Sequence, residues 1–555
     1  MVMQAQAGRP MIPMEQVGGS FMATVANDAG EEGSVYYAEN MLPLDTDNPQ
    51  SPWASVGFWQ NQGTGTAGGS AVVAHGSLPL VSGTVVNWQL STTSGLWTVD
   101  GAGTYTNVVT SGNFTTAGIT LTASTVYYTV VFNGTLIVTD QSGTQVPWRW
   151  DGTSGAASLT ELTSAPVAYG RPTIYYAKLF FIKNSQRNTI VWSEENDPTS
   201  GYEAGGFSNA WALTQSTNEN LIAIEGGNEG LYYARRNSIG VIRGAVTDTF
   251  QTDGTHDGVA QFGTGVLGGL MIDGNDLWVW TGNSLKVVPA GGAARTVWTH
   301  SDQYGTPAVD GGVGVSVWSV SDDGRGQMIV IPPGGSTGGV NYPTLWLPLA
   351  RTAGTDYLCL IVDMAHYRPL GWIVQGDSGS IQLRWLSTYN SGGVVIRPAF
   401  TDYTTGRVMV HTMTFQAASD RNASGTAKET QYALVGRSLT VGSGEIMDYQ
   451  FDRLDFSASA QAGSNGQWSV LASALTSRQD RTPSPGQSQT LSTVTAPAEI
   501  MDPGRFSVGM NQSGRWIRPV FISAVTSTTG FSGGGMRLYG WTVWAYPLGG
   551  GPKVP

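Results

Sequence analysis

Paired acidic side chains are the first residues in this sequence that could carry out chemistry. The pairs are Glu194–Glu195, Asp253 with Asp257, and Asp322–Asp323. Two carboxyl groups that flank a glycosidic bond can work as acid and base, or as acid and nucleophile. Glycoside hydrolysis is therefore one hypothesis that the sequence raises.

The surroundings of one pair weaken that hypothesis. A sialidase-type Asp box has the pattern Ser-x-Asp-x-Gly followed by an aromatic residue. The segment 321–325 reads Ser-Asp-Asp-Gly-Arg, so its glycine comes one place early and no tryptophan follows. We keep a propeller-type glycoside hydrolase only as an alternative.

Metal-binding and nucleophilic patterns are also incomplete. The histidines are at least 44 residues apart, at positions His75, His256, His300, His366 and His411. The run Asp45-Thr46-Asp47-Asn48 opens like a calcium loop but lacks its glycine and distant glutamate, which favours a solvated acidic turn. The single cysteine, Cys359, lies in an apolar run and is interpreted as a small core residue. We predict no catalytic residues, no metal or cofactor, and no converging His/Asp/Glu triad, although the histidines could still approach one another in space.

Tryptophan-rich strands are the other candidate sites. The runs are WRW (148–150), WVW (278–280) and WTVW (541–544). Alternate residues of a strand share a face, so Trp148 and Trp150 point the same way, as do Trp278 and Trp280. Such rings either fill the space between neighbouring sheets or bind a ligand such as a sugar. Packing is our interpretation, and sugar binding is the alternative.

The elements that must position these residues are short strands joined by turns. Runs of β-branched and aromatic residues end at Gly, Asn, Asp or Ser, as in VYYTVVF-NG-TLIVTD (126–140). Its Asn133–Gly134 corner is a strong hairpin signal. Similar corners recur about every 40 to 60 residues, which suggests propeller blades of several strands. We predict an all-β fold with a β-propeller of four-stranded blades; the rival is a string of β-sandwiches.

Composition supports this fold class and excludes others. Only 12% of residues are charged, 10% are aromatic and 75 are glycine, which excludes a disordered chain, a collagen and a coiled coil. The formal net charge is −12 and the sequence has no dense run of Lys and Arg. We therefore do not expect a protein that binds nucleic acid through contacts to its phosphate groups. No apolar run is long enough to span a membrane, and the N-terminus lacks the pattern of a secretory signal.

The chain divides into five predicted parts. We expect an extended N-terminal docking arm (1–60), a β-rich appendage or first blade (61–125), the propeller core (126–475), an exposed loop (476–500) and C-terminal strands that close the propeller (501–555). The terminal strands 515–525 and 537–547 would be exposed edges if unpaired. We therefore expect at least one of them to pair with a strand from the first 130 residues.

Two stretches, 132–202 and 218–245, carry a pattern that resembles a known family. The matching positions are Trp150-Asp151-Gly152, Trp192-Ser193, Asp197-Pro198, Ile222-Ala223-Ile224, Tyr232, Tyr233, Asn237, Ser238 and Ile239. They resemble the β-propeller nozzle proteins, or packaged-DNA stabilisation proteins, that close the tails of short-tailed bacteriophages. The resemblance covers about residues 125–330 and, more loosely, the C-terminal strands.

The resemblance implies a structural virion protein that is not an enzyme. Such a protein is made in the bacterial cytoplasm and becomes part of the virion tail, as a homohexameric ring below a tail adaptor or portal-associated protein. Tail fibre or needle proteins are further implied partners. Double-stranded DNA would pass through the lumen without sequence-specific contacts, and a lumen lined by acidic turns such as Glu194–Glu195 would not grip it. A receptor- or carbohydrate-binding tail protein is the first alternative, and the glycoside hydrolase is the second.

Overall fold

The computed structural model is almost entirely β-structure. It describes the chain in these segments: 12–17, 35–48, 51–57, 59–61, 71–101, 103–122, 126–140, 143–202, 209–213, 219–244, 255–261, 269–282, 284–290, 292–299, 318–319, 328–333, 339–351, 357–374, 383–391, 395–402, 406–415, 420–421, 427–428, 432–436, 448–460, 467–475, 488–495, 504–514, 516–523 and 536–548. Within them, no helix is long and apolar enough to cross a membrane.

The strands follow one another with few interruptions. The first group is β1 (Ile12–Val17), β2 (Val35–Glu39), β3 (Met41–Pro43), β4 (Trp53–Ser55) and β5 (Trp59–Asn61). The second group is β6 (Val72–Pro79), β7 (Val85–Ser91), β8 (Gly95–Val99), β9 (Tyr105–Thr110), β10 (Tyr127–Phe132), β11 (Thr135–Asp140), β12 (Trp148–Trp150), β13 (Leu159–Glu161), β14 (Ala168–Tyr175), β15 (Lys178–Lys183), β16 (Thr189–Glu194), β17 (Asp197–Gly201), β18 (Ala210–Ala212), β19 (Ala223–Gly226), β20 (Leu231–Ala234), β21 (Ser238–Arg243), β22 (Thr255–Gln261), β23 (Gly269–Asp273), β24 (Asp276–Trp280), β25 (Ser284–Val288) and β26 (Arg295–Thr299).

The remaining strands extend to the C-terminal region. They are β27 (Trp318–Ser319), β28 (Ile329–Ile331), β29 (Thr344–Arg351), β30 (Tyr357–Asp363), β31 (Arg368–Val374), β32 (Leu383–Ser391), β33 (Val395–Asp402), β34 (Val408–His411), β35 (Asp420–Arg421), β36 (Ala427–Lys428), β37 (Ala433–Gly436), β38 (Tyr449–Ala460), β39 (Gln467–Leu475), β40 (Ser488–Thr495), β41 (Gly504–Gly514), β42 (Trp516–Ser523) and β43 (Met536–Pro547). Among the described residues, one short helix, α1 (Ser111–Thr116), and two 3-10 turns (Ala156–Ser158 and Asn184–Gln186) interrupt them.

Antiparallel sheets of four strands succeed one another along the chain, and we call them blades 1 to 7. Blades 1, 2, 4 and 5 are β6–β9, β10–β13, β19–β22 and β23–β26; blade 3 is β14–β17, with β18 paired to β16; blade 6 is β28–β31; and blade 7 is β32–β34 with β5. The first strands of neighbouring blades lie side by side: β6 contacts β10, β10 contacts β14, β14 contacts β19, and β19 contacts β23. Blades 5 and 6 meet through β26 and β31, and blade 7 completes the circle, because β32 contacts both β28 and β6.

This arrangement confirms the predicted all-β propeller with four-stranded blades. Local sequence explains each blade. At the β10–β11 hairpin, Asn133 and Gly134 have φ values of 49° and 73°, as a tight hairpin turn requires. Alternate strand residues then face the neighbouring blade, where rings such as Trp148 and Trp150 fill the core between blades 1 and 2.

The propeller is closed by a strand from the N-terminal region. In blade 7, β5 pairs antiparallel with β34, placing Trp59 opposite His411 and Asn61 opposite Met409. Residues 501–555 were expected to close the propeller, and this expectation is wrong. The short strand β5 hides the edge of blade 7 instead, which frees the C-terminal strands for another sheet.

Strands from both chain ends build a second β unit beside blades 5 and 6, which we call the terminal sandwich. One sheet runs β3-β4-β43-β38-β41, with β1 also paired to β43. The other, β2-β37-β42-β39-β40, continues from blade 6 through the pairing of β2 with β31. Its apolar core includes Phe456, Phe521 and Trp541. The expectation that a C-terminal strand pairs with the N-terminal region is confirmed, since β43 pairs with both β1 and β4.

The structure moves several of the expected boundaries. The described strands of residues 1–60 do not form a separate arm, because they belong to three sheets. Strands of the 61–125 segment form blade 1, and the propeller continues to β34 rather than to residue 475. Within 476–500, expected to be an exposed loop, residues 488–495 form β40, which pairs with β39. Strand pairing, and not composition, sets these limits.

A close approach of two inner strands limits side-chain size at Gly226. Its backbone N–H donates to Thr173 Oγ1 of blade 3 over 2.8 Å, and a Cβ atom there would lie 1.9 Å from the carbonyl oxygen of Ile174. We expect Gly226→Ala to lower the free energy of unfolding by about 1–3 kcal/mol, because the two blades must move apart. Urea titration of the purified protein measures this. Gly101→Ala, where a Cβ meets nothing within 4 Å, is the control and is expected to change stability little. Equal stability of the two variants would contradict the prediction.

Candidate functional site

The outward face of the terminal sandwich carries ordered rows of polar and aromatic side chains. Strands β43, β38 and β41 pair in register, so residues directly opposite one another share a face. One row holds Trp544, Arg453 and Gly509. The next holds Thr542, Asp455 and Ser507, and the third holds Gly540, Ser457 and Arg505. Alternate residues such as Leu454 and Val543 are fully buried below.

The carboxylate of Asp455 organises this face. The indole N–H of Trp544 donates to its Oδ2 over 2.7 Å, and the Ser507 hydroxyl donates to its Oδ1 over 2.6 Å. Nε of Arg453 lies 3.0 Å from Oδ1 and forms an ion pair, at an angle that makes no hydrogen bond. The guanidinium of Arg453 also lies 5.2 Å from the centre of the Trp544 ring. Asp455 therefore fixes the orientation of both neighbours.

These rows enclose an open groove of about 660 Å³. Trp544, Arg453 and the exposed Arg505 are its long side chains, and the small residues Gly540 and Ser457 lie beside Arg505 in the third row. Tyr539 lines one side, where its hydroxyl lies 3.2 Å from Ser459 Oγ. With two guanidinium groups and one carboxylate, the groove is positively charged in a chain of net charge −12. It can offer an aromatic surface and several hydrogen-bond donors to a ligand.

Of the predicted carboxylate pairs, Glu194–Glu195 lies wholly within the described residues. Glu194 and Glu195 are exposed at the end of β16, where Glu194 accepts a hydrogen bond from Asn209 and lies 4.0 Å from Lys178 Nζ. Asp257 belongs to β22, the last strand of blade 4. Asp253, Asp322 and Asp323 lie outside the described residues. The acidic lining of a ring lumen stays a prediction.

Two of the predicted histidines are buried structural residues. Thr401 Oγ1 lies 2.6 Å from His75 Nδ1, and His75 Nε2 lies 3.1 Å from the carbonyl oxygen of Ala399. Burial lowers the pKa of His75 to about 4 and that of His411 to about 3, the latter with help from the positive charge of Arg397. Both imidazoles are therefore neutral at pH 7. His256 lies in β22, and His300 lies outside the described residues.

His366 lies close to two aspartates, whereas we predicted no converging His/Asp/Glu triad. Its Nδ1 lies 2.7 Å from Oδ2 of the fully buried Asp363, and its Nε2 lies 3.4 Å from Oδ1 of Asp47. Arg368 Nε also lies 3.3 Å from Asp363. The β30–β31 turn brings these residues together with the loop after β3, which no sequence spacing indicates. The cluster ties that loop to blade 6, and no set of three or more metal-ligating side chains occurs among the residues described.

The tryptophan runs divide between core and surface. Trp148, Trp150, Trp278 and Trp280 are fully buried, which confirms the packing interpretation for both pairs. In the third run, Trp541 packs in the core and Trp544 faces the groove. Asp45 and Asp47 form the expected exposed turn, in which the Asp47 N–H donates to Asp45. Cys359 is buried as expected, and burial raises the pKa of its thiol.

The residues that carry the family resemblance have structural positions in blades 2 to 4. Asp151 Oδ1 accepts hydrogen bonds from the N–H and hydroxyl of Thr153, which forms the turn after Trp150. Asp197 accepts similarly from Thr199 and Ser200, and these bonds hold the pKa of its carboxyl below the usual range. Trp192, Ile224 and Tyr233 pack in the core between blades 3 and 4. The pattern is thus a set of blade-forming residues.

The sequence analysis did not identify Asp455 and Arg453 as candidate site residues. The signal was present in the strand YQFDRLDFSASA (449–460), where apolar and polar residues alternate from Arg453 to Ala458. That alternation predicts one buried and one exposed face. Only the register with β41 and β43, strands that lie 52 and 89 residues away at Ser507 and Trp544, shows which side chains meet Asp455.

Comparisons with known proteins give likeness at the level of structure only. No protein-family model matches the chain, and no curated protein sequence matches it. The chain is similar to BBS1N in its complex with ARL6DN (12% identity, 65% of this chain and 99% of that chain, TM-score 0.39). It is also similar to the Neurospora crassa Pan2 WD40 domain (7% identity, 62% of this chain and 89% of that chain, TM-score 0.34). A third similar structure is an auxiliary nutrient binding protein from Bacteroides thetaiotaomicron (11% identity, 73% of this chain and 76% of that chain, TM-score 0.32). Since all three scores are below 0.5, the propeller rests on the strand pairings and blade contacts described above.

Proposed function

We propose that this chain is a non-catalytic structural subunit of a ring-shaped bacteriophage tail nozzle. The observation that carries the proposal is the position of the motif residues. Those that match the nozzle proteins form turns and inter-blade cores in three successive blades, as Asp151, Asp197 and Trp192 show. A family pattern made of blade-forming residues is the pattern of a shared scaffold and not of a shared reaction.

The terminal sandwich supports a mechanical role. Its apolar core is continuous with blades 5 and 6, as the cluster that contains Trp280, Trp372 and Phe521 shows. Because β2 also pairs with β31, the propeller and the sandwich are joined by a sheet as well as by a core. A subunit braced in this way suits a wall that must withstand internal pressure from packaged DNA.

Charge supports the proposed passage of DNA. The chain has 28 basic and 40 acidic residues. A ring of such subunits repels phosphate groups on average, so double-stranded DNA can slide through without being held. In this proposal the subunits form a homohexamer below a tail adaptor and contact fibre or needle proteins in the virion.

The oligomeric state tests the proposal directly. Native mass spectrometry of the purified full chain is expected to show a sixfold assembly, and electron microscopy is expected to show rings with an open centre. In a gel-shift assay at low salt, the same preparation is expected not to retard double-stranded DNA, because no phosphate contact holds it. A protein that stays monomeric with and without a tail adaptor, or one that binds duplex DNA tightly, would contradict the proposal.

A further inference from the structure

We propose that the groove on the terminal sandwich binds an acidic saccharide. In this site Trp544 is the surface on which a sugar ring stacks, and Arg453 and Arg505 pair with the carboxylates of the ligand. The inference goes beyond the nozzle role and does not depend on it, since a monomer would carry the same groove.

The first step of the argument is the fixed orientation of Trp544. Its ring is half-buried, and its N–H is held by Asp455 over 2.7 Å. An aromatic ring has a negative face, which attracts the weakly positive C–H groups on the face of a sugar ring. Because the ring is already held in place, little side-chain freedom is lost when a ligand stacks on it.

The second step is charge complementarity. Arg453 lies in the first of the three rows and Arg505 in the third. Asp455, the carboxylate in the middle row, already accepts two hydrogen bonds and forms an ion pair with Arg453. Nε of Arg453 is buried against Asp455, but the Arg453 side chain as a whole is 39% exposed, and Arg505 is exposed. Guanidinium groups bind carboxylates through two parallel hydrogen bonds, with a strength that neutral donors do not reach. With two guanidinium groups and one carboxylate in the lining, the groove keeps one uncompensated positive charge, which an acidic ligand neutralises and a neutral ligand does not.

The third step is the floor of the groove, formed by small residues in the second and third rows. Gly540 and Ser457 are small, and Thr542 and Ser507 add short side chains with hydroxyl groups. The small side chains leave room for sugar rings above the sheet, and the hydroxyl groups of Thr542 and Ser507 can form hydrogen bonds with the hydroxyl groups of the sugar. A groove of about 660 Å³ holds a few linked sugar rings.

Isothermal titration of the purified full chain tests the proposal. The probes are hexagalacturonate and a hexamer of α-2,8-linked sialic acid as acidic saccharides, maltohexaose as a neutral one, and inorganic phosphate as charge alone. We expect at least one acidic hexamer to bind at least about tenfold more tightly than maltohexaose and phosphate. Binding of that hexamer should weaken as salt is added, because part of the attraction is between charges.

Matched variants locate the binding in the groove. Trp544→Ala and Arg505→Gln are each expected to weaken binding of the acidic hexamer by about tenfold or more. Trp544→Phe, which keeps a ring but loses the bond to Asp455, is expected to lie between Trp544→Ala and the unchanged protein. The controls are Trp97→Ala, a half-buried tryptophan of blade 1, and Arg236→Gln, an exposed arginine of blade 4. Both are expected to leave binding unchanged.

Several results would overturn the proposal. One is failure of both acidic hexamers to bind, and another is binding that phosphate matches. A third is binding that Trp544→Ala and Arg505→Gln leave intact. If Trp544→Ala changes the oligomeric state by sedimentation and the unchanged protein binds no saccharide, the face is a contact between copies of the chain and not a sugar site.

Discussion

Replacing Trp59 with alanine is expected to lower the free energy of unfolding by about 3–5 kcal/mol, since this is the usual cost of removing a buried tryptophan side chain. Trp59 is 2% exposed and belongs to β5, the strand that completes blade 7. Its ring contacts those of Trp346, Phe400 and His411, at centroid distances of 6.2, 5.2 and 5.0 Å. The variant leaves a cavity at the position where the propeller closes.

Urea-induced unfolding followed by tryptophan fluorescence measures this loss. Trp97→Ala is the matched control, because Trp97 is a half-buried strand tryptophan whose N–H donates to Ser94 in its own blade. It is expected to cost clearly less than Trp59→Ala. If the two variants unfold at the same urea concentration, closure by β5 contributes no more than an ordinary surface contact, and the prediction fails.

Acidification is expected to destabilise the protein between pH 6.5 and about 4. Burial lowers the pKa of His75 to about 4 and that of His411 to about 3, whereas an unfolded chain has an ordinary histidine pKa of 6.5. Below pH 6.5 the histidines of the unfolded state therefore bind protons while those of the folded state stay neutral. The free energy of unfolding falls as the pH falls through this range. Each histidine contributes up to about 1.4 kcal/mol per pH unit in this window.

Two carboxyl groups set limits on this prediction. Burial raises the pKa of Glu225, with Arg171 opposing, so Glu225 takes up its proton more readily in the folded state and reduces the acid slope. Because the pKa of Asp197 is lowered in the folded state, its contribution to the free energy of unfolding is lost as pH falls through that lowered pKa.

The measurement is the free energy of unfolding at a series of pH values. His75→Gln is expected to flatten the slope between pH 6.5 and 4, while an exposed-site control, Arg236→Gln, keeps it. A slope that His75→Gln leaves unchanged would contradict the assignment.

The propeller was predictable because its signals are local. Hairpin corners such as Asn133–Gly134 lie between strands that pair with each other, so the sequence shows both the turn and its partners. Helix α1 was not predictable in the same way. Its sequence SGNFTT has few helix-forming residues, and it forms because Thr110 caps its first turn and Phe114 is buried below.

The closing of the ring and the groove depend on distant pairings that leave no local pattern. Strand β5 is three residues long, and its partner Met409 is far along the chain from Asn61. Trp544 could be named as a candidate because tryptophan runs are visible. Asp455 and Arg505 could not, since an aspartate or an arginine in an alternating strand is ordinary until its neighbours across the sheet are known.

The interleaving of the two chain ends has a consequence for biosynthesis. Strand β5 cannot pair until β34 of blade 7 has been synthesised. Strand β1 cannot pair until β43 has been synthesised, because Ile12 of β1 lies opposite Ala545 of β43. A ribosome adds roughly 5–20 residues per second, so β1 emerges roughly half a minute to two minutes before its partner exists. During that time the first strands have open edges while blades 1 to 5 can already form behind them. The early strands of one nascent chain can therefore pair with those of a neighbouring nascent chain, so crowding of ribosomes on one message should lower the yield of folded protein.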